Sequence, residues 1–424
     1  MSLAVMGIAI GLLLFLRVPI AFAILGPCLG YLWYTDQSLG LSMRLAVQGV
    51  NSWPLLAVPL FILVGVTANR AGIADRLFDF ALSLLGRVRG SLGYVNIGVS
   101  LGFSWMSGSA LADAAGLGAV EVPAMRKQGY PAKFAVGITG ASTVIGPIMP
   151  PSIPAIVYAA VAVVSTGALF AASVVPAFML AAALAVAVYI WARKRGELRT
   201  AQFAWGQLAR TFLRAAGAML TPVIIIGGIL AGLFTPTEAA GVGACYMLVL
   251  GFAYRTVRPR HLLGIFRDTV MTTASITLIL AASALLGWIL AREQVPQNVA
   301  SAIFTVTDSK IVFLILVNVL LLLFGAIIEP TSALVISVPI LLPVAVQFGV
   351  DPLHFGVLVV LNLMIGLLTP PMGGVLYVLS SVTGISVTDV FRGVAPFLVP
   401  LLAVLVIVTF VPDLVLWLPG LLGL

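Results

Sequence analysis

The sequence predicts an all-α polytopic membrane protein whose halves are inverted-topology repeats, each carrying one re-entrant helical hairpin and one broken helix. Three observations lead there. Hydrophobic residues make up 61% of the 424 and charged residues only 8%. Apolar runs of helix length recur along the whole chain; in hydrocarbon every peptide group must find its partner within the chain, so such runs read as spanning helices. A β-barrel would instead show short alternating segments. Third, GPIMPP (146–151) and GLLTPP (366–371) share the spacing Gly-x-x-x-Pro-Pro at an offset of 220, and the same offset pairs Pro123 with Pro343 and Gly129 with Gly349. Composition alone gives roughly 0.4 such coincidences in a window of this size; five occur. Paired, Gly/Pro-interrupted apolar segments point to a transporter's binding site.

In chain order, spanning segments are expected at 3–16, 18–34, 54–69, 132–168 (broken near 146–152), 171–191, 217–233, 237–254, 269–290, 354–386 (broken near 369–374) and 393–417. The first lacks a basic start and a small-residue cleavage site, and reads as a retained helix rather than a signal peptide. Residues 90–126 and 310–347 read as apolar hairpins with polar or Gly-rich tips. Residues 72–86 and 293–308 read as amphipathic arms along the interface. The resulting division is scaffold helices over 1–53, repeat 1 over 54–168, scaffold helices with basic loops over 169–268, repeat 2 over 269–386, and a C-terminal helix over 387–424.

The net charge of +8 is carried by short loops, as the positive-inside rule expects, and does not call for nucleic acid. Residues 192–214 carry Arg193, Lys194, Arg195, Arg199, Arg210 and Arg214 against Glu197, and 255–268 carry Arg255, Arg258, Arg260 and Arg267 against Asp268. Both loops are therefore expected in the cytoplasm. Counting outward places Arg17, Arg70 and Arg392 inside and both termini outside. Hairpin 90–126, flanked by Arg87, Arg89, Arg126, Lys127 and Lys133, should enter from the cytoplasm. Hairpin 310–347, flanked by Lys310, Asp308 and Asp351, should enter from the far side. Arms of ~17 residues, about 25 Å of helix, permit turning back or crossing; the polar tips favour turning back. Cys28 and Cys245 lie in separate apolar segments and suggest neither a disulfide nor a metal site.

The chemistry lies at the tips and the breaks. WMSGSALAD (105–113) offers Ser107, Gly108 and Ser109 as a polar turn, with Asp113 one helical turn later. Peptide groups at such a turn are tolerated in lipid where they are protein-buried or line a cavity. A cation and a carboxylate substrate would satisfy them; close packing of small residues on neighbouring helices is the structural alternative. ASTVIGPIMPPSIP (141–154) places Ser142 and Thr143 before the break and Ser152 after it. Gly146 and Pro150 interrupt the helix and free carbonyls for a cation. GAIIEPTSA (325–333) has Glu329 followed by Pro330, Thr331 and Ser332. A carboxylate at the bilayer centre costs on the order of 3 kcal/mol, so Glu329 asks for a cation, a proton or a donor; bonds from its own loop are the equal alternative. Asn362 and Thr369 precede the second double proline, with Gly366 and Gly373 bracketing it. Candidate substrate contacts are Ser107, Ser109, Asp113, Ser142, Ser152, Thr331 and Asn362. Glu238 is expected to cap a helix, Glu121 to pair with Arg126 at the interface, and Asp36 and Arg44 to be solvated loop charges.

Four stretches carry a resemblance: SGSALADAAGLGAVEVPAMRKQGY (107–130), STVIGPIMPPSIPAIVY (142–158), GAIIEPTSALVISVPILLP (325–343) and DPLHFGVLVVLNLMIGLLTPPMG (351–373). They resemble the large membrane subunit of tripartite ATP-independent periplasmic (TRAP) transporters. The resemblance implies an elevator-type fold of the ion-transporter superfamily in the bacterial inner membrane, and sodium-driven uptake of a carboxylate or acidic sugar. It implies sodium at Ser107, Gly108 and Ser109 with Gly146 and Pro150, and at Glu329, Thr331 and Ser332 with Gly366, Thr369 and Gly373. Gly108 would contribute backbone only. No other cofactor is implied. A small four-helix membrane subunit and a soluble periplasmic binding protein are the implied partners. The alternative is a self-sufficient sodium-coupled carboxylate symporter or sodium/proton antiporter of the same superfamily. An intramembrane enzyme lacks a histidine base near Ser107 or Ser109, since His261 and His354 lie in other contexts. A channel suits paired interruptions less well than alternating access does.

Overall fold

A computed structural model describes residues 3–16, 18–194 and 204–424. Arg17, Arg195, Glu197 and Arg199, which enter the charge-based orientation, lie outside the described residues. Among the described residues all regular structure is helical, and eight helices are long and apolar enough to cross a membrane.

Helices α1 (Leu3–Phe15) and α2 (Ile20–Tyr34) pack together. The third, α3 (Leu39–Val50), starts where Ser38 Oγ accepts the Gly40 N–H at 3.2 Å. It corrects the expected loop: Arg44 sits on this helix, whose Ser42, Arg44 and Gln48 break the apolar run that hydropathy detects. A 3-10 turn (Trp53–Leu56) leads into α4 (Ala57–Arg70), followed by the amphipathic α5 (Ile73–Leu85). Hairpin 1 is α6 (Ser91–Ser107) and α7 (Ala110–Lys127). Then α8 (Ala132–Ser142) passes through a 3-10 turn (Thr143–Ile145) into the first break, beyond which α9 (Ile153–Ala162) resumes. The expected end of this span at 168 is corrected. Val163 turns left-handed at φ 56°, and Ser165 Oγ accepts the Ala168 N–H at 3.2 Å to open α10 (Thr166–Arg193).

The rod α11 (Trp205–Pro222), a π turn (Val223–Gly227) and α12 (Gly228–Leu230) precedes α13 (Pro236–Ala253). Glu238 does cap α13: it accepts the Thr235 N–H at 2.8 Å while Thr235 Oγ1 accepts the Glu238 N–H, a capping box. The longest helix is α14 (Pro259–Arg292). Starts at Trp205 and Pro259 shorten both expected basic loops, so Arg210, Arg214, Arg260, His261, Arg267 and Asp268 lie on helices. Charged turns extend these helices past their apolar parts, and Pro259 is suited to a first turn, where its missing N–H costs nothing. Next come α15 (Val295–Val306), hairpin 2 from α16 (Lys310–Ile327) and α17 (Pro330–Gln347), α18 (Pro352–Gly366), the second break, and α19 (Gly374–Thr383). The expected single C-terminal helix is two, α20 (Val387–Phe410) and α21 (Pro412–Leu422). Pro412 cannot donate within α20 and instead opens α21.

The two halves share one order of elements. The starts Ser91, Ala110, Ala132 and Ile153 correspond to Lys310, Pro330, Pro352 and Gly374, shifts of 219, 220, 220 and 221. Packing is reciprocal: α7 lies against α19 as α17 lies against α9, and α8 against α20 as α18 against α10. Each hairpin's returning arm thus rests on the other half's broken helix. Polar side chains pin the arms: Ser100 donates to Ser142 Oγ at 2.8 Å between α6 and α8, and Asn362 donates to Asn318 between α18 and α16. Such interhelical bonds in membranes contribute roughly 0.6 kcal/mol each.

Candidate functional site

At the first tip α6 ends because Gly108 takes a left-handed φ of 58°, where a side chain would be strained. A Cβ there would also lie 2.8 Å from the Pro151 carbonyl oxygen, so the tip rests directly on the first break. Ser109 then starts α7, its Oγ accepting the Ala112 N–H at 3.4 Å. Asp113 is 0% exposed. Its Oδ1 accepts from the Ser107 hydroxyl, while Oδ2 has no hydrogen-bond partner among the described residues and lies against Gly146. Ser152 closes the break on itself, donating to the Pro147 carbonyl and accepting the Ala155 N–H at 3.1 Å. The peptide bonds within the double prolines, Pro150–Pro151 and Pro370–Pro371, are both cis.

At the second tip Glu329 caps α17. One carboxylate oxygen accepts the Ser332 N–H at 3.0 Å and the Ser332 hydroxyl at 3.1 Å, and the other accepts the Thr331 hydroxyl at 2.9 Å. Glu329 thus receives bonds from its own loop. Hairpin 2 meets the second break backbone to backbone: the Met372 N–H donates to the Ala326 carbonyl at 3.0 Å, and Gly366 lies flat on Gly325. The Leu367 and Thr369 carbonyls turn toward Gly373, each 2.9 Å from where its Cβ would stand.

The tips open onto one cavity of about 490 Å3. Three helices present their first residues to it: α7 with Ser109, Ala110 and Leu111, α9 with Ile153 and Pro154, and α17 with Pro330, Thr331 and Ser332. Among the described residues the lining includes Glu329 and no arginine, lysine or histidine. Helix N-termini carry partial positive charge, so this cavity can hold an anion by backbone dipoles, while hydroxyls and freed carbonyls at the tips can hold a cation.

Among the sequence-derived candidates, Gly108, Ser109, Glu329, Thr331 and Ser332 line the cavity. Ser107, Asp113, Gly146, Pro150, Gly366, Thr369 and Gly373 lie behind it at the two tip–break contacts and are not among its lining residues. Ser142, Ser152 and Asn362 are not brought to it; all three are buried and bonded to neighbours. Glu121 is a correction: it is buried and accepts from the Asn96 amide, while Arg126 is exposed. The residues missed are Met271, Thr272 and Ser275 of α14, which close the cavity's far wall. The signal was present, since Thr269, Thr272, Thr273, Ser275, Thr277 and Ser283 put six hydroxyls in the otherwise apolar span 269–290.

Residues 7–414 match the family described as tripartite ATP-independent periplasmic transporter, DctM component. The sialic acid TRAP transporter large permease protein SiaM of Vibrio cholerae is 46% identical over 411 residues, covering 96% of each chain. The sialic acid TRAP transporter permease protein SiaT of Haemophilus influenzae is 41% identical over 413 residues, which is 97% of this chain and 67% of that protein. Among solved structures, the crystal structure of the Alcanivorax borkumensis YdaH transporter superposes with a TM-score of 0.56 at 14% identity over 86% of each chain, a likeness of fold.

Proposed function

The chain belongs to the DctM component family of tripartite ATP-independent periplasmic transporters, a family of membrane permeases rather than enzymes, and on that footing we propose that it imports an organic acid anion, a carboxylate or acidic sugar, by sodium symport. The observation that carries this reading is the cavity between the tips, where three helix N-termini meet and, among the described residues, no basic side chain does. An anion held by dipoles alone gains from a cation alongside it, and bound sodium at the tips supplies one. One sodium is assigned to Ser107, Gly108, Ser109, Gly146 and Pro150, with Asp113 behind them. The other is assigned to Glu329, Thr331, Ser332, Gly366, Thr369 and Gly373. Ser109 and Thr331 face the anion as well.

Hairpins and broken helices of opposite orientation form the moving body, sliding as an elevator against scaffold helices from 1–53 and 169–268. The protein sits in the bacterial inner membrane with both termini periplasmic. A soluble periplasmic protein delivers the substrate, and a small four-helix membrane subunit completes the permease; that the chain covers only 67% of the SiaT relative leaves room for such a component. Both named relatives carry sialic acid in their names, which favours an acidic sugar as the first substrate to assay. In proteoliposomes with both partners, Ser109→Ala and Thr331→Ala are each expected to cut sodium-driven uptake while membrane expression holds. Wild-type uptake in both variants would remove the tips from the site.

A further inference from the structure

Hairpin 1 contains a second buried acid that neither the cavity nor the tip–break contacts employ. We propose that Glu121 is a proton-binding site, occupied in the folded protein, with the Asn96 side chain receiving the proton's hydrogen bond. Glu121 is 1% exposed, and its one donor among the described residues is the Asn96 amide on α6; Oε1 has no partner. Among the described residues no counter-ion pairs with it. On α7 itself Arg126 and Lys127 are exposed, and Asp113 is bonded to Ser107. From α8 the facing groups are Thr139 and Ser142, while Lys133 pairs with Asp389 at 3.3 Å. From α6 they are Asn96 and Ser100. From α19, Leu379 and Val382 pack on Gly118, and Tyr377 donates to the Pro371 carbonyl. From α5, Asp75 lies by Gly72, Arg76 covers the Tyr254 ring, and Asp79 lines a separate cavity with Arg210 and Arg214. A carboxylate there would be a buried charge with one donor and no opposite charge, which one amide bond does not offset.

The hydrogen bonds around it point the same way. The Asn96 amide gives its two hydrogens to Glu121 and to Thr139 Oγ1, the latter at 2.7 Å, and among the described residues the Thr139 hydroxyl hydrogen has no acceptor. Turning the amide over exchanges its nitrogen and oxygen and moves nothing else. The protonated acid then donates to the amide oxygen, as does the Thr139 hydroxyl. The amide nitrogen donates to Ser142 Oγ across 2.8 Å, freeing the Ser142 hydroxyl for the Thr139 carbonyl at 3.1 Å, and Ser100 continues to donate to Ser142. The Thr139 hydroxyl hydrogen thereby gains an acceptor, those of Ser100 and Ser142 keep one, and one amide hydrogen of Asn96 is given up in exchange. A bound proton also needs no room, and the cavity between the tips is not lined by these residues.

The site does not require sodium coupling, and its test is separate from transport. Infrared difference spectra of the full chain in lipid, wild type minus Glu121→Gln, should show at neutral pH the carbonyl stretch of a protonated carboxylic acid, lost in the variant. Loss of an ionised carboxylate band instead, or a Glu121 band that moves with added sodium, overturns the proposal. Asn96→Leu removes the acceptor and serves equally where Glu121→Gln does not accumulate. It should shift the acid band to higher frequency, and an unmoved band overturns the role of Asn96.

Discussion

Gly366→Ala is expected to reduce sodium-driven uptake to background and to destabilise the folded chain by about 1–3 kcal/mol, the usual cost of overpacking a closed contact. The added Cβ would stand 2.6 Å from the Gly325 Cα and carbonyl carbon and 3.0 Å from the Ala326 nitrogen. These are backbone atoms of α16, with no rotamer that moves them aside. Hairpin 2 must lift from the second break, losing the Met372-to-Ala326 bond that joins them. The carbonyls assigned to the second sodium then part from Glu329, Thr331 and Ser332. Uptake in proteoliposomes and a thermal melt check both halves of the expectation. Wild-type uptake would show that the glycine-to-glycine contact is not needed for transport.

Gly146→Ala should act differently, because what it meets is a side chain. Its Cβ would fall 2.2 Å from Asp113 Oδ2. The carboxylate can rotate, but only by leaving the Ser107 hydroxyl and the face of the first break. The expected result is a chain that still folds, with the sodium concentration for half-maximal uptake raised about tenfold, or 1.4 kcal/mol. A sodium dependence equal to wild type would mean that Asp113 and the first break do not hold the ion. The contrast between the two glycines separates a backbone contact from an electrostatic one.

How much of this was legible in the sequence follows from what each residue does locally. Ser-Gly-Ser at 107–109, Glu-Pro-Thr-Ser at 329–332 and the double prolines end or start helices by their own chemistry, so hairpins and breaks fell within a residue or two of their observed places. Helix ends that depend on polar turns did not: α3 was absent from the expectation, and α11 and α14 begin earlier than their apolar stretches do. Side-chain direction was the least legible. Ser142 and Asn362 match at the repeat offset, yet each turns to a neighbouring helix, to Ser100 and to Asn318. Thr272 and Ser275 were passed over because α14 only meets the tips through tertiary packing. Nor do equal motifs have equal surroundings: residues 146–152 are buried throughout, whereas Pro370, Pro371 and Met372 are exposed.

The central claim is that two interrupted elements, similar in sequence and opposite in orientation, meet around one anion-holding cavity. Its most direct test is sidedness. With Cys28 and Cys245 replaced by alanine, single cysteines near Arg89 and near Asp351 are treated with a membrane-impermeant thiol reagent in intact and opened vesicles. The account predicts that the first labels from the cytoplasmic face and the second from the periplasmic face; labelling of both from one face would contradict it.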